Sequence, residues 1–203
     1  MISPMCQQGE IVRNPVITFA YFEKGVSRDE AKQEKCRSDE RAVQCEYQGF
    51  PNPKNCSTCV CPSGYGGRAC GDKPGKCGQY VTASDKWQKM EESIQSPYNS
   101  SRYVTCTSWI RAAPGTKIEV KIHSISDGLN VYACAYAGVE IKTQDDQRLT
   151  GYRFCSKDDK KVKTLKSNLT LVPIITYSGI TIPLNVTLRY RRGTFTRVPI
   201  NNA

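Results

Sequence analysis

Histidine is almost missing from this sequence: His123 is the only one in 203 residues. A catalytic zinc held by several imidazoles is therefore excluded. No Gly-x-Ser-x-Gly turn is present to raise a nucleophilic serine. No apolar run approaches the roughly 18 residues a membrane-crossing helix needs. A secretory leader is also missing, because residues 1–8 are polar and Val16 to Phe22 is short and has no basic stretch before it. Acidic residues are in deficit, 19 against 29 Lys and Arg, for a formal net charge of +10. That charge suits a solvated surface, and it also suits attraction to acidic glycans or acidic protein partners. Nucleic acid is not expected, given the compartment argued next.

What is abundant is cysteine, with eleven in the chain. Cytosolic glutathione keeps such thiols reduced, so a cysteine-dense chain belongs outside the cell. Sequons at Asn55, Asn99, Asn168 and Asn185 agree with secretion. A secreted-type chain that opens without a leader is expected to be a fragment of a longer protein, or the product of a gene model lacking its start.

The cysteines divide the chain. Residues 1–35 hold only Cys6, are charged and weakly patterned, and stay unassigned. Residues 36–70 hold six cysteines among Gly, Pro, Asn and Ser. Such a segment buries too little apolar surface to fold unaided, so its order must come from cross-links. Residues 71–76 read as a linker. From Cys77 the pattern changes. Ile118, Val120 and Ile122 alternate with Lys117, Glu119 and Lys121, and Leu184, Val186, Leu188 and Tyr190 alternate with Asn185, Thr187 and Arg189. Period-2 alternation predicts half-buried strands. Turn signals at Ala113-Pro114-Gly115, Asp127-Gly128 and Asp145-Asp146 punctuate them, which predicts an antiparallel β-sandwich over 77–192, followed by a tail, 193–203. The fold class is all-β. Hydrophobic content of 38% supports one real core rather than two. Asn168 and Asn185 are expected to point outward in this register.

Six cysteines allow fifteen pairings by spacing alone. The ending Cys59-Val60-Cys61-Pro62-Ser63-Gly64-Tyr65-Gly66-Gly67-Arg68-Ala69-Cys70 resembles the close of an EGF-like module, with glycines where a tight turn needs positive φ. The resemblance implies bridges Cys36–Cys56, Cys45–Cys59 and Cys61–Cys70. A zinc knuckle on Cys56-x-x-Cys59 is the alternative, but structural zinc takes four ligands and here six cysteines stand in EGF order. Ala31 to Lys35 lacks the carboxylate pair of calcium-binding EGF modules, so no calcium is expected there.

The second group resembles a CUB domain. Cys77-Gly78 opens it, and Cys106-Thr107-Ser108-Trp109-Ile110-Arg111-Ala112-Ala113-Pro114-Gly115 and Gly151-Tyr152-Arg153-Phe154-Cys155 carry the likeness. The implied bridges are Cys77–Cys106 and Cys134–Cys155. Many CUB domains hold calcium through an acidic residue shortly after the third cysteine. Here that position is Ala137, and Thr176-Tyr177-Ser178 replaces the later acidic element, so no calcium is expected. Glu140 reads as an exposed strand residue.

Gly49 to Gly67 and Asp146 to Ser156 together resemble nematode astacin-type zinc metalloendopeptidases, which carry EGF-like and CUB modules after a catalytic domain. The resemblance covers about residues 36–192. That family's chemistry needs His-Glu-x-x-His-x-x-Gly-x-x-His, which is absent. Zinc is thus expected only in a missing catalytic domain, with no cofactor in this chain. Cysteine–histidine catalysis would need a free thiol near His123, an expected surface or edge residue, and only Cys6 lacks a partner.

The expected role is non-catalytic binding of an extracellular protein substrate or matrix component. The alternatives are a free-standing secreted EGF–CUB adhesion or ligand module, and a polyanion binder resting on Lys157, Lys160, Lys161, Lys163, Lys166, Arg189, Arg191, Arg192 and Arg197. Loop aromatics and arginines give large contact area. Tyr98, Arg102, Tyr103 and Arg148 are therefore the contact candidates, on loops held by packing and the Cys134–Cys155 bridge. Asn99, Asn168 and Asn185 are the expected glycan carriers. Asn55 is expected to be a poor one, since Cys56 must enter a bridge.

Overall fold

A computed structural model describes residues 35–98, 102–127, 129 and 131–193. Residues 1–34, with Cys6, the sequon Asn99, and Arg197 in the tail lie outside the described residues. The first module is a hairpin of β1 (Phe50–Asn52) and β2 (Asn55–Val60). Cys36–Cys56, Cys45–Cys59 and Cys61–Cys70 tie it together, the pairs the resemblance implies. Gly64 and Gly67 have φ of 87° and 78°, so the turn does use the left-handed region. Asp72, in the connecting stretch 71–76, exchanges backbone hydrogen bonds with Gly66, fastening that stretch to the module.

Two sheets follow. One has the order β3 (Tyr80–Thr82), β5 (Val104–Arg111), β10 (Leu171–Ser178), β7 (Ala137–Ile141), β8 (Tyr152–Phe154). The other has the order β4 (Gln88–Ile94), β11 (Leu184–Gly193), β6 (Lys117–Ile125), β9 (Leu165–Ser167). All pairs are antiparallel except β3 with β5. The core between the sheets takes the residues the alternation selects: Ile118, Val120 and Ile122 from β6 and Leu184, Val186, Leu188 and Tyr190 from β11. Both remaining bridges, Cys77–Cys106 and Cys134–Cys155, lie in this sandwich.

Several positions differ from the sequence reading. His123, one residue past the alternating run 117–122, still lies inside β6. Thr187 faces Ser124 while Leu188 faces Ile122, so His123 is the bulged residue between them, and it is exposed. Asn168 lies in the bend between β9 and β10 rather than on a strand, though it is exposed, as is Asn185 on β11. Glu140 is not exposed: only 4% of its surface reaches solvent. It sits on β7 between β10 and β8, where Arg153 donates to it at 2.9 Å and the Gly151 amide at 2.9 Å. Gly151 has no side chain, and this lets the carboxylate lie against the backbone.

The first module has no core of its own. Tyr65 and Cys70 form one small cluster with Trp109 and Leu171 of the sandwich. Every residue of β10 is buried, because one face looks into the core and the other is covered. Limited apolar content thus builds one core plus a seam shared by both modules.

Candidate binding surfaces

The sandwich has two ends, and the strand register assigns loops to each. Val104, Ser178 and Ala137 are cross-strand neighbours, so the described loop residues 95–98 and 102–103, 126–127, 129 and 131–136, and 179–183 gather at one end. Arg111, Leu171 and Ile141 mark the other, which carries the loop 142–151.

Exposed aromatics concentrate at the first end. Tyr98 is 84% exposed and Tyr132 83%, while Tyr103, Tyr136 and Ile182 are each more than half exposed. The loops beneath them are tied together. The Tyr103 hydroxyl donates to the Ala135 carbonyl, and its ring centroid lies 6.4 Å from that of Tyr177. A Cβ at Gly179 would meet the Tyr103 ring at 3.0 Å, so a side chain there would push the ring aside. The Ser96 amide donates to Ile180 at 2.8 Å, joining the first loop to the third. Ala133 and Cys134 take left-handed φ of 55° and 52°, sparsely populated for residues with a side chain. Two anchors hold that turn: the disulfide to Cys155, and the buried Tyr177 hydroxyl, which donates to the Cys134 carbonyl at 2.9 Å. Burial pushes the Tyr177 hydroxyl up to about 12, so it stays a donor at any physiological pH. Ala137, at the position where the likeness expects an acid, is fully buried.

The contact candidates do not form one surface. Tyr98, Arg102 and Tyr103 belong to the tyrosine end. Arg148 lies at the opposite end, in the loop that faces the EGF-like module, and it forms a forked pair with Asp146 at 2.9 Å. Sequence order could not separate them, because only strand register says which loops share an end. The sequence reading missed Tyr132 and Tyr136. Their closeness to Cys134, whose bridge fixes the turn, was the available signal.

The seam at that opposite end is extensive. The Trp109 indole donates to the Gly64 carbonyl at 2.8 Å. The Tyr65 hydroxyl donates to Gln147 at 2.8 Å, and the Gln147 amide donates to Gln48 at 2.6 Å. The ammonium of Lys142, fully buried, donates to the carbonyl and hydroxyl of Ser63 and to the Gln147 carbonyl.

The basic residues named from sequence are mostly paired. Lys157 meets Asp127, Lys161 meets Asp158, Lys166 and Arg191 meet Glu119, and Arg192 meets Asp85. Among the described residues, no group of three or more His, Cys, Asp or Glu is placed to hold a metal. No helix among them is long and apolar enough to cross a membrane.

The folded chain is thus an all-β extracellular-type module pair, EGF-like and CUB-like. No family model matches it. It is 40% identical over 139 residues to zinc metalloproteinase nas-31 of Caenorhabditis elegans, which covers 68% of this chain and 22% of that protein. Zinc metalloproteinase nas-25 of the same organism is 34% identical over 161 residues, 76% of this chain and 40% of that one. The CUB1-EGF-CUB2 domains of rat MASP-1 superpose with a TM-score of 0.40 at 13% identity, over 56% of this chain and 42% of that one. Its homologues are nematode astacin-type zinc metalloproteinases, and the match is consistent with an EGF-like plus CUB region. It spans about a fifth to two fifths of the length of these relatives.

Proposed function

We propose that this chain is the non-catalytic, protein-binding region of a secreted astacin-like metalloendopeptidase, directing it to a protein substrate or matrix component. The observation that carries this reading is the tyrosine end. Tyr98, Tyr103, Tyr132 and Tyr136, with Ile182, stand exposed on three neighbouring loops. Aromatic side chains contribute much contact area for little conformational entropy, and they dominate interface hot spots. The loops are held by a disulfide and by the buried Tyr177 hydrogen bond to Cys134, which lowers the cost of ordering on binding. Neither peptidase chemistry nor metal is assigned to this chain, since His-Glu-x-x-His is absent from its sequence.

The test is binding of the purified chain to a panel of extracellular-matrix proteins, with and without chelator. Tyr98→Ala/Tyr132→Ala should weaken binding at least tenfold, and chelator should leave it unchanged. Arg148→Ala, at the opposite end, should bind like wild type. Full binding by the folded tyrosine variant would move the contact surface elsewhere. Loss of binding with chelator would point to a cation at the loops.

A further inference from the structure

The outer face of the second sheet carries an arrangement that the pairing of the other basic residues leaves conspicuous. Lys89 on β4, Arg189 on β11 and Lys121 on β6 stand directly opposite one another, because Arg189 faces Lys89 on one side and Lys121 on the other. Strands lie roughly 4.8 Å apart, so three cations form a row of about 10 Å across the sheet. Like charges placed opposite each other on a sheet repel. The next row places Arg191 opposite Glu119, and Glu119 opposite Lys166. Lys89 pairs with the exposed Glu91. The Arg189 side chain makes no ion pair or hydrogen bond among the described residues.

Trp87 organises the patch. Lys121 stands 4.5 Å and Arg191 4.6 Å from its ring. Such cation–π contacts hold long side chains in place without neutralising them. The surface is therefore basic, flat and partly pre-ordered. It offers no large exposed apolar side chain: those of the described residues lie elsewhere. Protein interfaces need such anchors, whereas a charged polymer does not.

We propose that this face binds a sulfated glycosaminoglycan, lying across the strands along Lys89, Arg189 and Lys121. The polymer's sulfates supply the counter-charge that Arg189 and Lys121 lack and compete with Glu91 for Lys89, and its linear form matches a row rather than a pocket. The Lys157–Lys163 stretch, where Asp127 and Asp158 already pair with two of the lysines, is not part of the site.

Fluorescently labelled heparin oligosaccharide is the probe, titrated with the full chain at 0.15 M NaCl and at higher salt. The wild type should bind and should weaken steeply as salt rises. Lys89→Gln/Arg189→Gln/Lys121→Gln should lose at least tenfold in affinity, with the thermal midpoint checked to show that it folds. Lys160→Gln/Lys161→Gln/Lys163→Gln removes the same charge elsewhere and should lose less than threefold. Equal losses in the two variants would reduce the effect to net charge and overturn the site. Absence of binding by the wild type would overturn the proposal outright, as would poly-glutamate binding as tightly as heparin. The tyrosine-end variant keeps this face intact, so the two readings fail separately.

Discussion

The Trp109 indole nitrogen donates to the Gly64 carbonyl at 2.8 Å, and this bond joins the two modules. Trp109 is fully buried although it points out of its own sheet. The EGF-like turn covers it, with the Tyr65 ring centroid 5.7 Å away and Tyr47 stacked on Tyr65. Gly64 can do this only as glycine. Its φ is 87°, and a Cβ there would fall 2.8 Å from Pro173 Cβ.

Gly64→Ala should therefore cost at least the roughly 1–2 kcal/mol of a left-handed alanine, plus the displacement from Pro173. Trp109→Ala should cost about 3–5 kcal/mol. Chemical denaturation reads both. Limited proteolysis should show faster cleavage within 71–76 in each variant. Unchanged protection there would mean the seam does not hold the modules together.

Lys142 makes the seam pH-sensitive. Burial pushes its ammonium down to about 8 from 10.5, against the upward pull of Glu140 and Asp146. Between those values the unfolded chain binds the proton and the folded one does not, so stability rises as pH climbs from about 8 toward 10.5. Below about 8 the full penalty of burying the charge remains. The gap corresponds to about 3 kcal/mol. Urea midpoints of wild type and Lys142→Met, compared from pH 7 to about pH 10, should show the wild type gaining on the variant. A constant difference would show that Lys142 does not titrate in that range.

Non-reducing peptide mapping should recover Cys36–Cys56, Cys45–Cys59, Cys61–Cys70, Cys77–Cys106 and Cys134–Cys155, with Cys6 as the remaining thiol. Cys134→Ala/Cys155→Ala should cost about 2–5 kcal/mol. It should also loosen Tyr132 and Tyr136, since Ala133 and Cys134 lose an anchor for their left-handed turn. Recovery of Cys36–Cys45 or Cys70–Cys77 would be incompatible with the module assignment.

In a secretory host, Asn168 and Asn185 should carry glycans, both being exposed. Asn55 should be modified poorly. It is exposed, but its side chain accepts from Ser57, and neighbouring Cys56 must enter its bridge. Glycopeptide mass spectrometry showing full occupancy at Asn55 and none at the other two would reverse this ranking.

Local pattern was enough for part of this protein. Cysteine spacing with the Gly64 and Gly67 turn marked the first module, and period-2 alternation marked β6 and β11 residue by residue, because a pleated strand turns successive side chains to opposite faces. The missing histidines removed catalytic zinc of the family's kind before any fold was known. Alternation tells which residues share a face, but not what covers that face. Trp109, Glu140 and Lys142 are buried on what would be the outer side of a sandwich because the EGF-like module covers Trp109 and Lys142, and the Arg153 side chain and Gly151 backbone enclose Glu140. Nor does chain order say which loops meet. Tyr98 and Arg148 read as one surface in sequence and stand at opposite ends in space, while Lys89, Arg189 and Lys121, far apart in the chain, form one row. Those placements depend on strand register and on the docking of one module against the other, which only the tertiary structure decides.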